Sequence, residues 1–322
     1  MRVSEDRMRS LSALLVSFFI AAMFAGPAMS WSDEDVTRDG LHGSLIVPYR
    51  GARSATVLIL AGSGPVDRDG NLPGLRNDGL KLLARGLAER GIASLRIDKR
   101  GIGQSRTAAM REEDLRIQTY VDDAIGWMAL LRARQDTGPI FILGHSEGAL
   151  IATLAAQRVD VAGVILVAGA GEPAAALIGR QLSDAGVPEH LQTESKRISQ
   201  SLARGVAVAD VPLELTALYR ASVQPYLMSW LQLDPATELA RVKAPALIVQ
   251  GTHDLQIRVE DAQRLAAGQP NSKLVSIEAM NHVLREAPKE RAANLAIYGA
   301  FDQPLAPELV PAIASFIEAH AR

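Results

Sequence analysis

The chain contains no cysteine. That excludes disulfides, thiolate metal ligands and the cysteine on which a lipid anchor is built. It also lacks an excess of basic charge: a formal net charge of -2 offers a nucleic acid no electrostatic footprint. No internal repeat or low-complexity segment is visible. The apolar run of residues 11–25 is shorter than the ~20 residues that span a bilayer. What remains is ordinary globular composition, 48% hydrophobic and 22% charged over 322 residues, with length enough for a large core. Small-molecule chemistry is favoured by elimination.

Residues 1–30 differ from the rest. Arg2, Arg7 and Arg9 precede the apolar run, and Gly26, Pro27 and small residues up to Ser30 follow it. This is the order of a signal peptide, so export to the periplasm or beyond is expected. Ala28 and Ser30 suit cleavage before Trp31, Gly26 and Ala28 a cut before Met29, and retention as an N-terminal anchor is the alternative. The mature chain is expected to be soluble.

Beyond the leader, apolar runs alternate with amphipathic stretches, which predicts an α/β fold with a mostly parallel sheet flanked by helices. Strands are expected over 41–47, 55–61, 93–97, 140–143, 161–167, 246–249 and 273–277. Most are almost continuously apolar, as strands covered on both faces are. Helices are expected over 78–90, 120–134, 149–158, 259–267 and 306–319. Between 172 and 242 periodic apolar residues (Leu177, Ile178, Leu182, Leu213, Leu215, Leu218, Tyr219) are broken by Pro188, Pro212, Pro225 and Pro235. This stretch reads as a helical cap inserted into a core made of 31–171 and 243–322.

Gly144-His145-Ser146-Glu147-Gly148 follows one apolar run and precedes a helical one, which is the strand-to-helix setting of the G-x-S-x-G elbow. The glycines let backbone pass close to a strained turn from which the serine hydroxyl projects. A serine hydroxyl needs a base, almost always imidazole. Of six histidines, His282 follows the last predicted strand on a loop over the carboxyl edge of the sheet. The base needs an orienting acid after the preceding strand, and Asp254 in Gly251-Thr252-His253-Asp254 stands there. Asp261 and Glu278 are weaker alternatives, and His253 reads as a turn residue. The order Ser146, Asp254, His282 is the one this fold requires.

The oxyanion of a tetrahedral intermediate needs two N–H donors. Glu147, after the nucleophile, supplies one. The glycine-rich turn at Gly62-Ser63-Gly64-Pro65 offers Ser63 as the other, with Gly64 as its alternative. Asp67, Arg68, Asp69 and Arg100 read mainly as loop-shaping ion pairs, and Glu147 is expected to pair with Arg68 or Arg100. Tyr226, Met228 and Trp230 of the insertion either line an apolar substrate pocket or pack the cap onto the core.

The run Gly62-Ser63-Gly64-Pro65-Val66-Asp67-Arg68-Asp69-Gly70-Asn71, with Asp98-Lys99-Arg100-Gly101-Ile102-Gly103-Gln104-Ser105 and the Gly-His-Ser-Glu-Gly elbow, resembles bacterial α/β-hydrolase carboxylesterases. The likeness extends to Ser222-Val223-Gln224-Pro225-Tyr226. It implies a capped serine esterase for short-chain acyl esters, with the triad on Ser146, Asp254 and His282 and an oxyanion donor at Ser63. No metal or organic cofactor is implied. Thioester or small-peptide hydrolysis by the same triad is the alternative within hydrolases, and a non-catalytic binding protein the alternative outside them.

Overall fold

Strands that are apolar on both sides need cover on both sides, and the computed structural model of the chain provides it. Residues 31–49, 53–108 and 111–321 are described; the predicted leader lies outside them. In chain order the elements are β1 (Trp31–Arg38), β2 (Leu41–Pro48), β3 (Ser54–Leu60), α1 (Gly79–Glu89), β4 (Ala93–Ile97), α2 (Ile117–Ala133), β5 (Thr137–His145), α3 (Glu147–Ala156) and β6 (Gly163–Val167). Then come α4 (Ala174–Asp184), α5 (Glu189–Ala203), α6 (Thr216–Tyr219), α7 (Gln224–Trp230) and α8 (Pro235–Leu239), followed by β7 (Ala246–Gly251), α9 (Val259–Gly268), β8 (Lys273–Ile277), α10 (Arg291–Ala296) and α11 (Leu309–His320).

The strands form one sheet in the order β1-β2-β4-β3-β5-β6-β7-β8. The pairs β1–β2 and β2–β4 are antiparallel, and every pair from β4 to β8 is parallel. Side chains alternate between faces along a strand. Leu58, Leu60, Ile140, Ile142, Val164 and Leu166 therefore pack beneath α2 and α3, while Val57, Ile59, Phe141, Leu143, Ile165 and Val167 pack against α1 and α11. This double burial is the reason the parallel strands read as uninterrupted apolar runs.

β1 was not expected. Its sequence, WSDEDVTR, is mostly polar because it is an edge strand, half-exposed throughout and paired with β2 alone. An edge strand with the acidic run Asp33-Glu34-Asp35 carries little hydrophobic signal and is protected from pairing with another chain. Between β6 and β7 no strand occurs, and helices α4 to α8 fill the interval. The apolar faces of α4 to α7 share a cluster of their own, built on Ile198, Leu202, Leu215, Tyr219, Leu227 and Leu231, whereas Leu239 of α8 joins the sheet cluster. Among the described residues no helix is long and apolar enough to cross a membrane.

Candidate active site

Parallel strands deliver their following loops to one edge of the sheet, which is where ligands bind in such folds. Here that edge carries the turns after β3, β5, β7 and β8.

After β5 the chain turns straight into α3, and Ser146 at the turn adopts φ 56°, ψ -122°, a left-handed conformation for a residue with a Cβ. Such strain costs on the order of 1–3 kcal/mol and persists only where the surroundings impose it. They do so here. The Ser146 N–H donates to the Val167 carbonyl of neighbouring β6 at 2.9 Å. A Cβ on Gly144 would overlap the Gly148 carbonyl, and one on Gly148 would press on the Leu60 carbonyl of β3. Only glycine lets strand and helix close so tightly around the serine.

After β7, Asp254 is buried and its Oδ1 accepts the N–H groups of Gln256 (2.7 Å) and Ile257 (3.0 Å). Its Oδ2 lies 2.8 Å from Nδ1 of His282, which sits on the loop after β8. Burial opposes ionisation of this carboxyl. His282 and the two backbone donors outweigh it and hold Asp254 below the usual carboxylate range. Because Nδ1 is committed to the carboxylate, Nε2 is the His282 nitrogen left for proton transfer. The alternative acids are occupied elsewhere. Asp261 binds Arg180 and the Gly171 N–H, and Glu278 is exposed at 3.9 Å from His253.

His145 stands on the other side of His282, ring centroids 4.8 Å apart, with its Nε2 2.9 Å from the His282 carbonyl. Desolvation of the ring and the neighbouring imidazole push its pKa down to about 3. It is neutral at ordinary pH, and its Nε2–H donates to the backbone carbonyl of His282. Asn281, also buried, accepts the N–H groups of Val283 and Arg285 and fixes the same loop from below.

Ser146 and His282 open onto one pocket with Gly62, Ser63 and His145. The cavity volume is about 130 Å³, small beside the ~300–1,000 Å³ of drug-sized ligand pockets. Its apolar wall is Val66, Leu72, Leu75, Leu80, Val283 and Leu284, with Tyr298, Asn77 and Gln256 adding polar groups. No Asp, Glu, Lys or Arg is among its lining residues.

The placement of other predicted residues differs from the sequence expectation. Tyr226, Met228 and Trp230 are not part of this pocket. Tyr226 and Trp230 pack against the sheet cluster beneath α2 and α3, and Met228 against the insertion's own cluster. Tyr226 also meets Tyr120 edge-on at 5.8 Å. The wall instead comes from the 62–80 segment and from the loops after β7 and β8. Apart from Leu80, in the first turn of α1, these residues lie in turns whose apolar content shows no periodicity, so no sequence pattern marked them. Glu147 pairs with neither Arg68 nor Arg100. Arg68 binds the buried Asp98 and Arg100 binds Asp123, whereas Glu147 accepts a hydrogen bond from the Tyr226 hydroxyl. Asp67 and Asp69 do shape their loop: Asp67 accepts the N–H groups of Asp69 and Asn71, and Asp69 binds Arg96 and Lys81.

Residues 78–289 match the family model described as serine aminopeptidase, S33. The esterase EstD of Thermotoga maritima is 26% identical over 264 residues, a match covering 79% of this chain and 60% of the relative, so the chain spans less than two thirds of that protein. Among solved structures, Est1E from Butyrivibrio proteoclasticus with bound ferulic acid superposes with a TM-score of 0.57 at 17% identity, covering 89% of this chain and 98% of the other. A puromycin-hydrolyzing peptidase of Mycobacterium tuberculosis superposes with the same TM-score of 0.57 at 17% identity, covering 93% and 41%. At such identities the structures speak for the fold, which is that of the α/β-hydrolases. With the matched span running from the start of α1 past the loop that bears His282, the chain belongs to the serine aminopeptidase S33 family of α/β-hydrolases.

Proposed function

We propose that the protein is a serine carboxylesterase acting on small acyl esters. The observation that carries this reading is the sharing of one pocket by Ser146, strained at its elbow, and His282, whose Nδ1 is held 2.8 Å from the buried Asp254. In this reading Ser146 Oγ attacks the ester carbonyl as its proton passes to His282 Nε2. The Ser63 and Glu147 N–H groups receive the oxyanion, and the alkoxide leaves with the proton from His282. Water then enters and loses a proton to His282, and the acid leaves the acyl-enzyme as His282 returns that proton to Ser146 Oγ. Asp254 stays ionised and stabilises the imidazolium.

Ester is favoured over peptide by charge. An aminopeptidase anchors the substrate's α-ammonium group on a carboxylate, and this pocket has none; nor does it offer a cation for the phosphates of a coenzyme A thioester. The helices of 172–242 serve as a cap in this reading, and 1–30 as the leader that brings the enzyme to the periplasm or outside the cell.

Hydrolysis of p-nitrophenyl acetate, butyrate and octanoate, beside an aminoacyl p-nitroanilide and an acyl-coenzyme A, tests the reading. The expected result is rapid turnover of the shorter esters, with kcat lowered about 10⁴-fold or more in Ser146→Ala. A rate unchanged in Ser146→Ala would remove the serine from the mechanism, and preference for the anilide would make the enzyme a peptidase.

A further inference from the structure

The loop that bears the predicted Ser63 donor is exposed, and a glycine-rich turn by itself has no fixed shape. Two of its carbonyls have the same partner. Lys99, on the turn after β4, donates from Nζ to the Gly62 carbonyl and, at 3.0 Å, to the Gly64 carbonyl. These acceptors lie on either side of Ser63. The Gly62 carbonyl shares its peptide plane with the Ser63 N–H, so that plane loses its freedom to rotate, and the bond to the Gly64 carbonyl ties down the Gly64–Pro65 plane just beyond. The direction of the Ser63 N–H is then set.

Lys99 is 8% exposed. Burying an ammonium is costly unless a counter-charge and hydrogen bonds are present. Burial pulls the Lys99 pKa down, and the Glu147 carboxylate nearby opposes that pull. The ring of Tyr120 lies beneath the ammonium, its centroid 5.7 Å from Nζ. Glu147 is itself 8% exposed, and its partner is the Tyr226 hydroxyl, brought in by α7. Tyr226 in turn rests against Tyr120. A lysine, a glutamate and two tyrosines from four separate segments thus share one buried cluster behind the elbow. None of these side chains lines the pocket.

We infer that Lys99 is a positioning residue for the oxyanion hole, and that Glu147 and Tyr226 complete a brace in which Lys99 orients the Ser63 N–H while Tyr226 holds the residue whose own N–H is the second donor. The brace rests on the serine-hydrolase reading above. It gives the buried Glu147 side chain a purpose beyond its backbone: its charge supports the lysine and its oxygen receives the cap. It also makes α7 a part of the catalytic frame without contact with substrate.

The experiment is steady-state hydrolysis of p-nitrophenyl butyrate by the full chain and its Lys99→Met, Glu147→Gln and Tyr226→Phe variants. Active sites are counted by fluorophosphonate titration, with Ser146→Ala as the control. A trifluoromethyl ketone, which forms a tetrahedral adduct on the serine, reports oxyanion stabilisation separately from substrate binding. Lys99→Met is expected to lower kcat per titrated site by about 10–100-fold, less than the full loss of an oxyanion donor. The ketone's affinity is expected to fall in step while KM stays within about twofold, since ground-state contacts are untouched. Tyr226→Phe, which keeps the ring and loses the hydroxyl, is expected to show the same pattern on a smaller scale.

Full kcat and ketone affinity in Lys99→Met would overturn the inference. So would a loss seen equally in KM and kcat with an unchanged ratio of ketone affinity to KM, because that is general damage to the pocket. Should Lys99→Met fail to fold, Glu147→Gln and Tyr226→Phe decide by the same ratio. Activity retained in Ser146→Ala would instead sink the serine reading, an outcome distinct from all of these.

Discussion

At the residue scale the site depends on groups kept in states they would not adopt in water. Ser146 is held in a left-handed conformation by three elements that meet at Gly144 and Gly148, and His145 is held without charge. The second has a measurable consequence. His145 titrates near its ordinary value of 6.5 when the chain is unfolded and at about 3 when folded. Between these values the unfolded chain binds the extra proton, so stability rises with pH across that window. The contribution is complete above pH 6.5 and declines by up to about 1.4 kcal/mol per pH unit below it. Asp254, lowered from 3.8, acts only at more acidic pH, and Asp67 and Asp123, raised by burial, act with the opposite sign. Urea unfolding of the wild type and His145→Gln between pH 4.5 and 7.5 isolates the histidine. The wild type is expected to lose about one proton's worth of slope more than the variant; parallel curves would mean that His145 is accessible to protons in the fold.

At the active edge the loops after β3 and β4 are fastened together by a buried ion pair. The turn after β4 supplies Asp98, 2% exposed, which accepts from the Arg68 N–H at 2.8 Å, from Arg68 Nε at 3.0 Å and from the Gln104 N–H at 2.9 Å. This carboxylate fastens the loop after β3 to the loop after β4. Lys99, its neighbour in sequence, reaches back to the same β3 loop. Replacing Asp98 by asparagine leaves the Arg68 guanidinium buried without its counter-charge. The exposed Asp35, 3.6 Å away, is a weak substitute. Asp98→Asn is expected to cost about 3–5 kcal/mol in urea denaturation, the usual penalty for breaking one partner out of a buried pair. An unchanged midpoint would show that the loop is held by its backbone turns alone.

For the molecule as a whole, two apolar clusters flank the sheet while a third lies within the helices between β6 and β7. The third is joined to the rest mainly by polar ties, among them Arg180 with Asp261, Arg258 with Asp184, Glu112 with Arg220 and Ser222, the Ser229 hydroxyl with the Ile117 N–H at 3.0 Å, and Tyr226 with Glu147. Regions with their own small core open at lower free energy than the central strands. Hydrogen exchange is therefore expected to release the amides of α4, α5 and α7 well before those of β5, β6 and β7. Simultaneous release would make the insertion part of the central cooperative unit.

Much of this architecture was legible because its causes are local. Double burial leaves continuous apolar runs, as in β6 within its expected span of 161–167, while β4 and β8 match theirs of 93–97 and 273–277, β8 as a largely exposed edge strand. The tight strand-to-helix turn demands glycine two residues either side of Ser146, and Asp254 and His282 follow the successive strands β7 and β8. These constraints act within a few residues and leave a mark on the sequence. β1 left none, since an edge strand exposed along one side needs no apolar pattern. The partner of Glu147 also left none: a buried carboxylate must find a donor, but Arg68, Arg100 and Tyr226 satisfy that need equally well until folding brings one within reach. The same holds for the pocket wall, built by Leu72, Leu75 and Val283 from turns, and for Lys99, whose acceptors are backbone carbonyls that carry no residue identity. What the chain encodes locally, by periodicity and steric necessity, was readable; which distant groups meet was decided only by the tertiary structure, because that choice depends on how loops from different strands converge at one edge of the sheet.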